Sequence, residues 1–194
     1  MIYLLRHGKL PDICSGKFIG QADIPLSADG IKQANDWAAF FSRQDIKFDY
    51  VFSSDLLRCR KTAEITAPYA QIKFLPVLRE IDLGEWDGKE RREIISAYPD
   101  EWKKRGEDPA YTPPGGESLA SFYSRVTPVL DEILKVKGTK LIVTHAGVIR
   151  CVICRLMDSP LTRMFSLEAE YAGLTTIDDS KNPASIKGFN TRPY

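Results

Sequence analysis

Short unbroken apolar runs alternate along this chain with longer stretches in which apolar residues return every third or fourth position. Residues 1–5 (MIYLL), FDYVFSS (48–54) and TKLIVT (139–144) are rich in β-branched or aromatic residues and read as buried strands. QIKFL (71–75) is a further strand candidate, and YAGLTTID (171–178) and SIKGF (185–189) return to strand character near the end. Helical periodicity fills the intervals. In GIKQANDWAAFFSR (30–43), Ile31, Ala34, Trp37, Ala38 and Phe41 fall on one face, with Ser27 or Asp29 available as the N-cap. Residues 55–67 and 117–136 read as helices, the second kinked or interrupted at Pro128, whose ring removes a backbone donor. A last helix follows His145.

Strands alternating with helices predict an α/β fold, a three-layer α/β/α arrangement with a mostly parallel central sheet, in one domain over residues 1–194. In such sheets ligands collect outside the carboxyl ends of the strands. That rule puts Arg6-His7-Gly8, Ser53-Ser54 and His145-Ala146-Gly147 on one rim. Residues 84–116 break the rhythm. They are charged, dotted with Trp and Tyr, and closed by Pro-Pro-Gly-Gly, which predicts a small helical, cap-like excursion over the active-site rim. Trp86, Trp102 and Tyr111 in this stretch either stack on a flat base or pack the excursion onto the domain, and packing is the simpler expectation.

Composition narrows the partners. With 43% apolar and 27% charged residues and a formal net charge of +1, there is no excess of positive charge to hold a nucleic acid or an anionic membrane. No apolar run approaches the ~20 residues that span a bilayer. The first residues enter a strand-like run directly, without a leader pattern, so a cytoplasmic protein acting on a small molecule is expected. Oligomeric state has no sequence signature here. The four cysteines are Cys14, Cys59, Cys151 and Cys154. The last two form a C-x-x-C inside VIRCVICRLM, which reads as a buried helix with no second pair or nearby His. Buried thiols, no metal and no cofactor are expected.

The chemistry concentrates at the rim. Only two histidines occur, and each ends an apolar run beside a Gly. Arg6 sets a planar five-donor cation next to His7, which suits phosphate oxygens and is costly to bury without an anion. Gly8 lets the backbone turn and approach a ligand. His145 repeats the pattern, and a histidine flanked by Arg and phosphate can be cationic and donate, whereas a nucleophilic one needs a free lone pair. In SSDLLRCRKTAEI, Arg58 lies one short turn from the rim, while Arg60 and Lys61 read as a solvated face. Transfer of a phosphoryl group to nitrogen also needs an acid for the leaving oxygen and a base for water. Glu80, Asp82, Glu85 and Asp87 compete for that role; Glu80 gains because it follows the apolar end of an extended segment.

LLRHG, GQADIPLSADGIKQA, VFSSDLLRCRKTAEI, LREIDLGEWDG, GGESLASFYSRV and LIVTHAGVIR, in this order, resemble the segments of the histidine phosphatase superfamily, the phosphoglycerate-mutase-like group. The resemblance covers nearly the whole chain. It implies that His7 is the nucleophile, that Arg6, Arg58 and His145 bind the phosphoryl group, and that Glu80 is the proton donor. Gly20 and Gln21 match a loop near the substrate. The reaction implied is metal-independent hydrolysis of a phosphomonoester through phosphohistidine. Many members read Arg-His-Gly-Glu-Thr and carry an Asn six residues past the histidine; here those positions hold Lys9, Leu10 and Ile13, so Ser15 or Gln21 would have to supply the missing contact. The short, mixed-charge insertion favours a phosphatase over a mutase. Within the group the chain looks most like small bacterial phosphatases acting on α-ribazole 5′-phosphate in cobalamin assembly. A phosphoglycerate mutase, a fructose-2,6-bisphosphatase-like enzyme and a non-catalytic phosphate-binding regulator are the alternatives.

Overall fold

A computed structural model describes residues 1–193. Six strands form one sheet in the order β3-β2-β4-β1-β5-β6, with β1 Ile2–Arg6, β2 Tyr50–Ser53, β3 Ile72–Phe74, β4 Lys140–Thr144, β5 Leu174–Asp178 and β6 Ser185–Thr191. The four strands from β3 to β1 run parallel, and β5 and β6 are antiparallel additions at the β1 edge. The mostly parallel sheet expected from the apolar runs is present.

Strand alternation splits the core into two layers. Ile2 and Leu4 of β1, Phe52 of β2 and Ile142 of β4 face one side, where they meet helices α5 (Leu119–Lys135) and α6 (Ala146–Leu156). Leu5, Val51, Leu141 and Val143 face the other side, against Trp37 and Phe41 of α1 (Ala28–Arg43) and Cys59 and Ala63 of α2 (Leu57–Thr66). A period of two in the strands thus supplies both apolar interfaces of the three-layer arrangement.

Local chemistry sets the helix limits. Ser27, not Asp29, caps α1: its hydroxyl accepts from Gly30 N–H at 3.0 Å. The buried stripe is Gly30, Ala34, Trp37 and Phe41; Ile31 is 40% exposed, so its expected place in the core is corrected. Ser118 caps α5 in the same way. The interruption expected at Pro128 does not occur, and α5 continues through it. Pro128 and Ser124, four residues before it, are both exposed, so the carbonyl left without its amide partner faces water.

Residues 84–116 form the expected helical excursion, with α3 (Arg91–Ala97) and α4 (Pro99–Glu107) joined through Tyr98. Trp86 is buried and stacks near Phe18 and Tyr111, so Trp86 and Tyr111 pack the excursion onto the sheet layer. All four cysteines are free and buried. No described helix is long and apolar enough to cross a membrane.

Candidate active site

The parallel register brings the rim together. Arg6 pairs with Thr144 across β1 and β4, and Ser53 with Val143 across β2 and β4, so the residues that follow these strands emerge side by side. His7 and His145 meet there with ring centroids 5.2 Å apart at 63°. The two segments are 138 residues apart in sequence and adjacent in space.

His7 is 3% exposed. Its Nδ1 lies 2.8 Å from the Gly8 carbonyl oxygen, which can only accept, so Nδ1 carries the proton and Nε2 keeps its lone pair. Burial, reinforced by Arg6 and Arg58, holds its pKa well below the ordinary histidine value. Gly8 has a packing role that the sequence did not mark. A Cβ there would overlap the Gly30 carbonyl, so Gly8 lets the rim sit against the start of α1.

Arg58 is 1% exposed and spends all three nitrogens on the protein. Nε donates to His145 Nδ1 (3.3 Å), one terminal nitrogen to the Ala22 carbonyl (2.7 Å) and the other to the Gly20 carbonyl (2.6 Å). The amides of Gly20 and Ala22 in turn donate to the two carboxylate oxygens of Asp87, at 2.8 and 2.7 Å. The loop around Gly20 and Gln21 is therefore a peptide bridge between Asp87 and Arg58. Gln21 itself donates to the Glu80 carbonyl at 3.2 Å.

Because Arg58 Nε can only donate, His145 Nδ1 accepts and the proton resides on Nε2, 2.9 Å from Ser54 Oγ. His145 is fully buried, and burial followed by Arg58 and His7 pushes its pKa well below the ordinary value. Without a phosphate beside it, this environment favours the neutral ring. Cys59 Sγ lies 3.3 Å from the same Nε2, and burial drives its thiol upward, so it is an inert neighbour.

Glu80 settles against the N-terminus of α6. One carboxylate oxygen accepts from Gly147 N–H and the other from Ile81 N–H, each at 3.0 Å. A Cβ at residue 147 would overlap Glu80 Oε1, so Gly147 makes room for the acid. Asp82 accepts from Gly84 N–H, Asp87 holds the Gly20 loop and Glu85 is exposed. Of the four competing carboxylates, Glu80 alone belongs to the lining of the large rim cavity.

That cavity has a volume of about 670 Å³. Arg6, Glu80, Gly147, Arg150 and Tyr171 line its rim side, and Arg91, Trp102, Lys103, Arg105 and Glu107 of the excursion line the other, with Lys17 between. His7, Arg58 and His145 lie outside this lining, in the buried cluster beside Arg6. Six cations and two carboxylates thus face the cavity, and among the described residues none of the six makes an ion pair with a carboxylate. The charges of 84–116 are mixed in sequence and sorted in space, which removes the mixed-charge argument against a cation-rich cap. Ile13 is 76% exposed and Ser15 is exposed, and neither belongs to the cavity lining.

Sequence reasoning missed four contributors. Tyr171 and Arg105 carried no recognisable signal, whereas Thr62, whose hydroxyl accepts from Gly8 N–H at 3.1 Å, lies in the quoted SSDLLRCRKTAEI segment four residues after Arg58. Arg150 closes the quoted LIVTHAGVIR segment, about one helical turn beyond the rim, and its place there was the available signal. Among the described residues no cluster of three or more His, Cys, Asp or Glu side chains is gathered for a metal.

The sequence pattern of the histidine phosphatase superfamily (branch 1) matches residues 2–192. The chain is 34% identical over 164 residues to a 6-phosphofructo-2-kinase/fructose-2,6-bisphosphatase of Caenorhabditis elegans, covering 84% of this chain and only 35% of that longer protein. It is 33% identical to phosphoserine phosphatase 1 of Hydrogenobacter thermophilus, over 91% of this chain and 85% of the relative. The crystal structure of the alpha-ribazole phosphatase from Shigella flexneri superposes with a TM-score of 0.86 at 27% identity, over 98% of this chain and 96% of that one.

Proposed function

Since the chain belongs to the histidine phosphatase superfamily, we propose that it hydrolyses small phosphomonoesters through a phosphohistidine on His7. The observation that carries this reading is the His7 tautomer: Nδ1–H is fixed on the Gly8 carbonyl and the Nε2 lone pair is free, in a buried cluster that favours the neutral ring. Nε2 attacks phosphorus, the P–O ester bond breaks, and its electron pair leaves with the ester oxygen, which takes a proton from Glu80. In the second step Glu80 accepts a proton from water, the resulting oxygen attacks phosphorus, and the P–N bond breaks to return neutral His7 and release inorganic phosphate.

Arg6 and Arg58 bring positive charge to the equatorial oxygens, where a preorganised donor is worth roughly 3–4 kcal/mol. His145 enters as a neutral imidazole whose Nε2–H donates, with the phosphoryl oxygens competing against Ser54 for that proton. The guanidinium groups supply the charge that a metal would bring, so activity is expected to be undiminished in excess chelator.

The cavity wall bears on the substrate. Cations from the excursion and from α6 face it without ion-pair partners, which favours a phosphoester bearing a second anionic group. The resemblance to α-ribazole phosphatases supports α-ribazole 5′-phosphate as a second candidate, with Trp102 as the aromatic residue on the wall; Arg105 lies 5.7 Å from that ring. The cationic wall also supports a mutase reading, in which a bisphosphate passes its group between two substrate oxygens. Measuring kcat/KM and phosphate release for p-nitrophenyl phosphate, α-ribazole 5′-phosphate, fructose 2,6-bisphosphate, phosphoserine and 3-phosphoglycerate tests the set. Net phosphate release supports the phosphatase; isomerisation of phosphoglycerate without release supports the mutase; no turnover of any ester defeats both.

A further inference from the structure

Tyr171 reaches the rim from a turn that no sequence motif marks. Gly173 N–H closes the turn on the Glu170 carbonyl at 2.9 Å, Ala172 N–H donates to the His7 carbonyl at 3.0 Å, and Arg6 N–H donates to the Gly173 carbonyl at 3.1 Å. Ala172 adopts φ +53°, a conformation an L side chain rarely takes, and its carbonyl accepts from Trp37 Nε1 at 2.8 Å. At the end of β6, Arg192 donates to the Tyr171 carbonyl and to the Glu170 carboxylate, and Asn190 Oδ1 accepts from Glu170 N–H at 2.9 Å. The turn is held from three directions, and a strained residue persists only where its surroundings fix it.

The ring so placed lies 3.8 Å from the Arg6 guanidinium carbon and 5.6 Å, centroid to centroid, from His7. Arg6 makes one side-chain hydrogen bond, from a terminal nitrogen to the Ala169 carbonyl at 2.7 Å, while its Nε is sealed from water without a partner. A carboxylate could fix the same guanidinium, but it would use two donors and neutralise the charge. A ring face fixes the plane through its quadrupole and uses no N–H. Arg58, whose three nitrogens all donate to the protein, shows the contrast.

We propose that Tyr171 is a positioning residue for phosphoryl transfer: its ring face sets the plane of the Arg6 guanidinium beside His7 and leaves the donors and charge of Arg6 for phosphoryl oxygens. The proposal rests on the phosphatase reading above.

The test compares Tyr171→Phe, which keeps the ring face, with Tyr171→Leu, which removes it, by calorimetric titration with vanadate and with inorganic phosphate. Tyr171→Phe is expected to stay within about twofold of wild type. Tyr171→Leu is expected to lose about 10–30-fold in vanadate affinity, the scale of a desolvated cation–π contact, with a smaller loss for phosphate. In the same variant the acid limb of kcat/KM for p-nitrophenyl phosphate moves to higher pH as His7 gains water, while Tyr171→Phe, which keeps the ring, leaves it in place. Tyr171→Met fills similar space without a π face and replaces the Leu variant if that one fails to fold. Equal damage by Phe and Leu, or an unchanged vanadate affinity in the Leu or Met variant, overturns the proposal. Wild-type protein inert toward every ester of the panel would defeat the phosphatase reading instead, and the titrations would still decide the role of Tyr171.

Discussion

The imidazoles of His7 and His145 stand 5.2 Å apart and carry their protons on opposite nitrogens, Nδ1 in His7 and Nε2 in His145. A carbonyl fixes the first and a guanidinium fixes the second. Two chemically identical side chains in one buried cluster are thereby given different tasks, one presenting a lone pair and the other a donor.

Keeping both rings neutral has a pH signature. Each folded-state pKa lies well below the ordinary value of 6.5, so at mildly acidic pH the unfolded chain binds more protons than the folded one. Stability is fully present above about pH 6.5 and is lost as pH falls toward the folded-state values, with a slope of up to about 1.4 kcal/mol per pH unit for each histidine. Urea midpoints measured from neutral to acidic pH should therefore fall, and more gently in His7→Asn. A midpoint that holds level through this range would mean that the folded protein already carries the charges.

Gly147→Ala tests the placement of Glu80. The added methyl would occupy the position of a carboxylate oxygen, and the acid must shift away from the leaving group. Turnover of an alkyl phosphate, whose leaving oxygen needs a proton, is expected to fall by roughly 100-fold or more. For p-nitrophenyl phosphate, whose anion leaves unaided, the first step should suffer far less. Equal kcat values for Gly147→Ala and wild type on the alkyl ester would remove Glu80 from the acid role.

Arg105 tests the second anionic group. Its guanidinium faces the cavity among Phe18, Trp102 and Phe165, and burial lowers its pKa to about 10, so an unpaired cation is held there at some cost. The matched pair 3-phosphoglycerate and glycerol 3-phosphate differs in one remote carboxylate. Wild type should prefer the first in kcat/KM, and Arg105→Met should shrink that preference by about 10-fold or more, as expected when a charge-assisted hydrogen bond of about 1.5–3 kcal/mol is lost. A preference unaltered by the substitution would place the second anion elsewhere or nowhere.

The rim was legible in the sequence because its residues follow strands, and strands announce themselves by short β-branched runs. Ile2 to Arg6 and Lys140 to Thr144 needed only that pattern to put His7 and His145 on one side of a sheet. The choice among four acids was not legible from spacing, because what singles out Glu80 structurally is an amide of Gly147, 67 residues away. The tautomer of His145 was not legible for a related reason: it is set by burial and by a donating Arg58, 87 residues away in the chain. Tyr171 and Arg105 stayed invisible because a loop turn and a short, charge-rich helix without a buried apolar stripe have no periodicity that points inward. Ile31 failed in the opposite sense, as an apolar residue of the first turn that the stripe of α1 leaves outside.

The central claim is that His7 carries the phosphoryl group. In Glu80→Gln, p-nitrophenyl phosphate can still phosphorylate the enzyme because its leaving group needs no proton, while water lacks its base and the intermediate accumulates. Rapid quenching in alkali, followed by peptide mass spectrometry, should find an acid-labile phosphoryl group on the peptide containing His7, and none in the double variant that also carries His7→Ala. A phosphoryl group on any other residue, or steady turnover by His7→Ala alone, would contradict the account.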